Sequence, residues 1–350
     1  MSKFSGKKIS VEIIGTSHGE SVNAIVKGFP NYTFDNDKLK EFMARRKANS
    51  SVYSTKRIES DEPLFKGVNG STVNGDFEVE IKNSNVKSQD YNELYARPRP
   101  SHADYAWFLK DGALDYSGGG RFSARLTAPF TAVGGISKQY LSELGVEVKA
   151  YLSSVGKVKG KSYKTGEVTS SEITELTSEF PALSNHEEML AEIKNASSEG
   201  DSVGATIECV VFGLKAGLGD NLFSGLEGKI ASLLYSIPAV KGVEFGLGFD
   251  MSDKRGSEVN DELFYENGEV KLKTNNNGGI NGGISNGFNL TMRVAIKPTP
   301  SIYKEQSTVD LVSKENVKIQ IKGRHDACVA VRAVPVVESA VCLALLDEII

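Results

Sequence analysis

Apolar residues alternate with polar ones at four places that lie far apart along the chain, and this pattern constrains the fold most. Such alternation predicts strands with one buried face. The segments are residues 9–13, 203–211, 290–296 and 317–321. The apolar stretch 327–350 predicts a buried helix with Pro335 near its start. With neither an internal repeat nor a clear linker, we predict one intertwined domain over residues 1–350, with a polar surface excursion near residues 156–200.

Charge and cysteine content exclude several classes of protein. The 350 residues carry 41 basic and 45 acidic side chains, and this net charge of −4 argues against general nucleic-acid binding, which favours a basic surface. The three cysteines are far apart and form no CxxC pair, so we predict neither a disulfide framework nor a thiolate zinc site. No segment is typical of a signal peptide, and the most apolar run, residues 339–346, is short for a membrane span. We therefore expect a soluble, cytoplasmic protein with no nucleic-acid or membrane partner.

Three of the four histidines lie in short polar segments that could form one active site. They are His18 in GTSHGE, His102 in RPRPSHADY and His325 in GRHDAC. Histidine is suited to proton transfer near neutral pH, although any one of them alone is more often a hydrogen-bonded structural residue. The HxxxH and HExxH spacings of metal sites are missing from the sequence, so we predict no metal. A Ser17 nucleophile is disfavoured, because Ser17 is not in a GxSxG motif.

Glycine loops and basic residues accompany these histidines. A glycine run, residues 118–120, precedes a predicted helix, where free backbone N–H groups can bind phosphate. The Asn/Gly stretch 275–289 is either a flexible linker or a loop that approaches a ligand closely. A short amphipathic helix, capped by Asp35, carries basic residues in its last turn. The basic residues near these features are Arg45, Arg46, Lys47, Arg97, Arg99, Arg121, Arg125, Lys297, Lys322 and Arg324. Together they predict an enzyme that acts on a phosphorylated small molecule by histidine acid–base chemistry.

Three long motifs resemble the chorismate synthase family. They are GTSHGESVNAIVKGFP at 15–30, GGGRFSARLTAPFTAVGGI at 118–136 and GRHDACVAVRAVPVVESA at 323–340. Shorter matches at 99–105, 199–205, 240–250, 278–285 and 297–299 follow in family order, so the resemblance covers essentially the whole chain.

The resemblance implies both a fold and a reaction. The fold is α+β, a single-domain β-α-β-α sandwich that assembles as a homotetramer. The reaction is the shikimate-pathway conversion of 5-enolpyruvylshikimate 3-phosphate to chorismate and phosphate, which serves aromatic amino acid biosynthesis. It is an anti 1,4-elimination by a carbon–oxygen lyase that requires reduced FMN with no net redox change.

Residue roles carry over by motif position. The resemblance implies that His18 protonates the departing phosphate, that His102 protonates the reduced flavin, and that Asp326 works with Ser17 in proton removal. It makes His325 structural or substrate-positioning. The implied FMN contacts are Arg46, Arg121, Phe122, Ser123, Pro238, Ala239, Gly282, Lys297, Pro298, Thr299, Pro300, Ser301 and Arg324. The implied substrate contacts are Arg45, Arg46 and Arg125.

Four positions depart from the family pattern, and two other functions stay open. Thr16 replaces a usual glutamate, Val52 replaces a basic residue of the nucleotide-binding segment, and Phe122 and Pro238 replace smaller or polar residues. The alternatives are a flavin reductase or other FMN oxidoreductase, and a flavin-binding or assembly protein without turnover. NADPH enters only as an indirect reductant, because Val52 favours dependence on reduced flavin supplied from elsewhere.

Overall fold

The computed structural model describes residues 2–48, 59–84, 96–112, 119–164, 166–176, 180–321 and 325–350. Its strands are β1 Ser2–Ser5, β2 Ser10–Gly15, β3 Ser21–Thr33, β4 Leu64–Lys66, β5 Thr72–Lys82, β6 Glu147–Val155, β7 Val158–Lys159, β8 Ala205–Phe212, β9 Val240–Phe245, β10 Leu263–Glu266, β11 Glu269–Leu272, β12 Ile280–Asn281, β13 Ile284–Ser285, β14 Leu290–Ile296, β15 Gln306–Asp310 and β16 Glu315–Ile319. Its helices are α1 Asn36–Ala44, α2 Asp104–Asp111, α3 Thr127–Glu143, α4 Ser170–Thr174, α5 His186–Ser198, α6 Leu226–Ser236, α7 Gly256–Val259 and α8 Ala330–Ile349.

Two five-stranded antiparallel sheets form the frame of the described chain. The first has the order β1-β2-β3-β5-β4, and the second has the order β7-β6-β8-β14-β9. The alternation at 290–296 predicts β14 correctly, and β14 lies inside the second sheet with Val294 opposite both Ile207 and Val243. The alternating side chains Leu290, Met292 and Val294 are almost fully buried, which is why their period of two is so clear in the sequence.

The two longest helices lie between the sheets. Helix α3 packs on β3 and β5 of the first sheet, α8 packs on β6 and β8 of the second, and α3 packs against α8. The predicted buried terminal helix is thereby confirmed, with Pro335 inside α8. On the opposite face of the second sheet, Ile173 of α4 packs with Tyr151 and Val210. The layers therefore run sheet, helices, sheet, helices, and the predicted α+β class is confirmed.

The polar segment 156–200 is not only a surface excursion. It contains β7, α4 and α5, and Met189 and Ile193 of α5 are fully buried in the main core. Its exposed Ser, Glu and Lys residues dominate the composition, whereas a few apolar residues anchor the segment.

The ends of several elements meet at one cavity and position the site. Helix α1 begins where the Asp35 side chain accepts hydrogen bonds from the backbone N–H groups of Asp37 and Lys38, as predicted for its cap. Two short 3₁₀ turns, Gly120–Phe122 and Ala124–Leu126, lead into α3. The loop after β2, the turn before α2 and the first turn of α8 converge with them on one cavity.

Candidate functional site

A cavity of about 1220 Å³ gathers most of the residues predicted for the site. The four predicted catalytic residues Ser17, His18, His102 and Asp326 all line it. So do the predicted binding residues Arg46, Arg121, Phe122, Ser123, Arg125, Pro238, Ala239, Lys297, Thr299, Pro300 and Ser301. Residues separated by about 300 positions in sequence therefore line the same cavity.

The described lining of this cavity is strongly basic although the whole chain is acidic. Its carboxylates are Glu59, Asp61 and Asp326. Its basic residues are Arg46, Arg99, Lys110, Arg121, Arg125, Lys241, Lys297 and Arg332. Such an excess of positive charge in a concave site focuses the field on an anionic ligand.

The loop after β2 holds His18. Ser17 is fully buried, and its Oγ lies 2.9 Å from Nδ1 of His18. The Asn83 side-chain amide donates to the backbone carbonyls of Thr16 at 3.1 Å and Gly19 at 2.8 Å, and so clamps the loop from both sides. These contacts fix the position of the His18 ring at the cavity wall.

His102 lies in a tight turn before α2. Its Nδ1 is 2.5 Å from Oδ1 of Asp104 and 3.0 Å from Nη2 of Arg99. The preceding residue, Ser101, has a φ of +58°, an unusual conformation for a residue with a side chain. Lys297 Nζ donates to the Ser101 carbonyl at 2.6 Å, which ties this turn to the segment 297–301 across the cavity.

Asp61 is buried between two of the predicted binding arginines. One of its oxygens accepts from Arg46 Nη1 at 2.6 Å, and the other accepts from Arg125 Nη1. Burial and the neighbouring arginines lower the pKa of Arg46 to about 10, against the opposing effect of Asp61. The pKa of Asp61 is lowered, because the two arginines outweigh the burial that by itself would raise it. Arg46 therefore stays charged at neutral pH, and the Asp61 carboxylate lies between its guanidinium group and that of Arg125.

Asp326 is held by a residue that the sequence reasoning missed. Arg332, in the first turn of α8, donates from Nη1 to both carboxylate oxygens of Asp326 at 3.1 Å. Its Nε donates to the backbone carbonyl of Arg46 at 2.9 Å. The Asp326 carboxylate is thus fixed with respect to both α8 and the end of α1.

Two buried polar atoms of the cavity residues have no hydrogen-bond partner within the described part of the chain. They are Oγ1 of Thr299 and Nε2 of His325. Burial, with a smaller contribution from Arg99, lowers the pKa of His325 to about 4, so its imidazole is neutral at pH 7. Unpaired buried polar atoms are costly, and a ligand with hydrogen-bonding groups would satisfy them.

Some predicted residues lie elsewhere. Arg45 faces a second cavity of about 800 Å³, where it forms a bidentate ion pair with the buried Glu338. Gly282 lies at the turn between β12 and β13, and neither it nor Pro298 lines the site cavity. Within the described residues, the structure thus supports no ligand contact of Arg45 in this cavity. Arg324 and Val52, together with Lys322 and Gly118, lie outside the described residues.

The sequence reasoning also missed lining or supporting residues whose importance depends on tertiary contacts. Besides Arg332, these are Asp61, Asn83 and Trp107. Trp107 is the single tryptophan of the chain, and its ring lies 4.2 Å from the Arg121 guanidinium carbon in a cation–π contact. Its being the single tryptophan is the sequence feature that could have identified Trp107, whereas no feature of the neighbouring sequence distinguishes Asp61 or Asn83.

The part of the chain that the structure describes shows neither a metal cluster nor a membrane-spanning helix. There, no three His, Cys, Asp or Glu side chains cluster as a metal site would require. Within the same residues, no helix has the length and apolar character needed to cross a bilayer.

Comparison with known proteins covers the whole of this architecture. The sequence profile of the chorismate synthase family matches residues 9–350. A chorismate synthase from Dehalococcoides mccartyi is 39% identical over 351 residues, which cover 99% of this chain and 96% of the relative. One from Thermococcus gammatolerans is 42% identical over 349 residues, with 99% and 97% covered. A chorismate synthase crystal structure is similar with a TM-score of 0.74 at 26% identity, over 98% of this chain and 92% of that one.

Proposed function

The chain belongs to the chorismate synthase family, and we propose that its basic cavity binds reduced FMN beside the substrate. The enzyme converts 5-enolpyruvylshikimate 3-phosphate to chorismate and phosphate in the shikimate pathway. One observation carries the proposal for the site: His18, His102 and Asp326, which are distant in sequence, line one large basic cavity. We treat residues 1–350 as one domain, which the apolar core shared by both sheets supports.

The cavity residues fit a flavin phosphate. The volume of about 1220 Å³ exceeds that of an ordinary small-molecule pocket, which leaves room for two ligands. Arg121 and Lys297 supply charge for a phosphate, and the buried hydroxyl of Thr299 is an unpaired hydrogen-bonding group. Ala239 has a φ of +73°, a strained conformation of the kind that concentrates at ligand sites. When bound, reduced FMN supplies electron density to the substrate as phosphate leaves and recovers it, without net redox change.

Arg46, Arg125 and His18 act on the substrate phosphate in this proposal. One carboxylate, Asp61, lies between two guanidinium groups, so a positive charge remains for an anionic ligand. His18 donates a proton to the phosphate oxygen as the carbon–oxygen bond breaks, because a protonated phosphate is the better leaving group. Ser17 orients the ring through its contact with Nδ1.

Asp326, with Ser17, takes part in removing the ring proton that is lost with phosphate. Its carboxylate must keep one orientation to accept a proton, and the Arg332 contact provides this. His102 also lines the cavity and would exchange a proton with a flavin bound there. The substrate loses one ring proton and one phosphate in total, and the atoms that remain are those of chorismate.

We also infer a cytoplasmic homotetramer that receives reduced flavin, with NADPH as an indirect reductant. The three cysteines are buried free thiols, which supports a reducing compartment. Exposed large apolar side chains, among them Phe223 and Tyr265, support association of subunits. Native mass spectrometry tests the oligomeric state, and NADPH-driven reduction of bound FMN tests for reductase activity.

Anaerobic turnover tests the function and the cofactor. Protein mixed with reduced FMN and 5-enolpyruvylshikimate 3-phosphate should release phosphate and form chorismate in equal amounts, whereas oxidised FMN should support neither. His18→Ala and His102→Ala should lower turnover at least about 100-fold while FMN is retained. Turnover by folded protein without reduced flavin would overturn the cofactor proposal, and full activity of both variants would overturn the assigned proton donors.

A further inference from the structure

The imidazole of His102 is held by a carboxylate two residues further along the chain. Nδ1 lies 2.5 Å from Oδ1 of Asp104, whereas Nε2 has no hydrogen bond to any residue that the structure describes. An unprotonated Nδ1 at this distance would set two lone pairs against each other, so Nδ1 must donate. We propose that Asp104 is a positioning residue that fixes His102 with its hydrogen on Nδ1 and leaves Nε2 to exchange a proton in the cavity.

Arg99 fixes the carboxylate in turn. Its backbone N–H and its Nε both donate to Oδ2 of Asp104, at 3.0 and 2.7 Å, and its Nη2 donates to Oδ1 at 2.8 Å. The side chains of Arg99 and Asp104 are 3% and 8% exposed, so water does not compete for these contacts. Burial by itself raises the pKa of Asp104, but the hydrogen bonds from Arg99 and His102 lower it below its ordinary value. An ionised acceptor therefore faces Nδ1 at neutral pH.

Arg99 also approaches Nδ1 directly, at 3.0 Å from Nη2. If Nη2 donated to an unprotonated Nδ1, the hydrogen of the neutral ring would lie on Nε2, which is the opposite tautomer. The same Nη2 already donates to Oδ1 of Asp104, and the carboxylate oxygen is 0.5 Å closer to Nδ1 than Nη2 is. The shorter, charge-assisted contact decides the tautomer.

The arrangement makes Asp104→Asn an informative substitution. Arg99 donates twice to Oδ2 and once to Oδ1, so the amide of the variant keeps its oxygen at Oδ2, gives up the single bond at Oδ1 and turns its NH₂ group toward Nδ1. Nδ1 then accepts a hydrogen bond, and the hydrogen of the neutral ring moves to Nε2. The substitution thus reverses the tautomer with almost no change of volume.

NMR of the ligand-free protein tests the tautomer itself. The chain has only four histidines, so ¹⁵N-histidine labelling with His102→Gln for assignment isolates the two nitrogens of His102. We expect a protonated Nδ1 in the native protein and in Asp104→Glu, and a protonated Nε2 in Asp104→Asn. The matched control is Asp310→Asn, since Asp310 also pairs with an arginine, Arg97 at 3.1 Å, but does not line the cavity. The proposal would be overturned if the neutral His102 ring of the native protein carried its hydrogen on Nε2. It would also be overturned if His102 had the same tautomer in the native protein and in Asp104→Asn.

Turnover then tests the consequence, which rests on the proposed role of His102. In Asp104→Asn, kcat should fall at least about 100-fold with little change in KM, and Asp104→Glu should recover part of it. A merely structural role of Asp104 would instead lower thermal stability and leave the ring nitrogens unchanged. A reversed tautomer with full kcat would retain Asp104 as a positioning residue and would overturn the proton transfer assigned to His102.

Discussion

Arg332 donates from one guanidinium nitrogen to both carboxylate oxygens of Asp326, at 3.1 Å each. The two residues are six positions apart; Arg332 belongs to α8, whereas Asp326 precedes this helix. Because Arg332 also donates to the backbone carbonyl of Arg46, it joins the predicted base to one of the arginines proposed to bind phosphate. This contact holds the residue proposed for proton removal and the residues proposed to bind the phosphate in one arrangement.

Replacing Arg332 should slow turnover more than it weakens substrate binding. Arg332→Met removes the two hydrogen bonds that this guanidinium donates to Asp326 and loosens the carboxylate, so kcat should fall about 100-fold, at the lower end of the contribution of a positioned acid–base group. Steady-state kinetics with excess reduced FMN measures kcat and KM separately. Arg332→Lys keeps the charge but not the planar guanidinium group, so its kcat should lie between those of the native protein and Arg332→Met. Native kcat in Arg332→Met would show that Asp326 needs no such support.

Thr299→Val should weaken FMN binding. The Thr299 hydroxyl is buried without a partner in the described chain, and valine has nearly the same shape. Loss of one hydrogen bond to the flavin corresponds to about 1 kcal/mol, or a roughly fivefold higher Kd. Fluorescence titration with FMN measures this change. If the hydroxyl contacts no ligand, the variant should bind FMN normally and be more stable than the native protein.

The buried Glu338 should make stability depend on acid. Burial by itself raises its pKa, but Arg45 and Lys138 outweigh that effect and lower the pKa to about 2. Since the unfolded carboxyl titrates near its ordinary value of 4.5, the stabilisation is full above that pH and is lost as the pH falls toward 2. Urea unfolding over this range should show a loss of about 3 kcal/mol from this group.

Two variants make that pH test specific. Glu338→Gln should be less stable near neutral pH and should lose less further stability in acid. Glu262→Gln removes an exposed carboxylate paired with Lys273, and its acid profile should match the native one, because exposed ion pairs contribute little. If the free energy of unfolding of Glu338→Gln fell with pH in the same way as that of the native protein, the acid sensitivity would not come from Glu338.

Gly134 permits the close packing of the two central helices. A Cβ at this position would lie 2.1 Å from Cβ of Ser339, so Gly134→Ala should push α3 and α8 apart and destabilise the fold by about 1–3 kcal/mol. Gly228 in α6 is the matched control, since a Cβ there meets no atom within 4 Å. Gly228→Ala should therefore stabilise the protein by about 0.5–1 kcal/mol. Thermal unfolding of both variants measures these opposite effects, and equal effects would contradict the packing argument.

Local patterns were sufficient for many elements and for much of the site. The alternation at 290–296 identified β14, Asp35 identified the start of α1, and the apolar run at the end identified α8. These features depend on neighbours within a few residues, because burial of one strand face or satisfaction of a helix end leaves a short-range signature. The motifs around His18, His102 and Asp326 likewise indicated one site and one family.

The tertiary structure decided which oppositely charged side chain each of these charged residues pairs with. Arg45 and Arg46 are adjacent in sequence, yet Arg45 pairs with Glu338 in a second cavity, whereas Arg46 pairs with Asp61 in the cavity proposed as the active site. The sequence by itself determined the family, and it predicted that arginines, histidines and glycine loops serve a phosphorylated ligand. Only the fold could assign Arg332 to Asp326 and Asp61 to Arg46, because the energy of a buried charge depends on which oppositely charged group the packing of distant segments brings within a few ångströms.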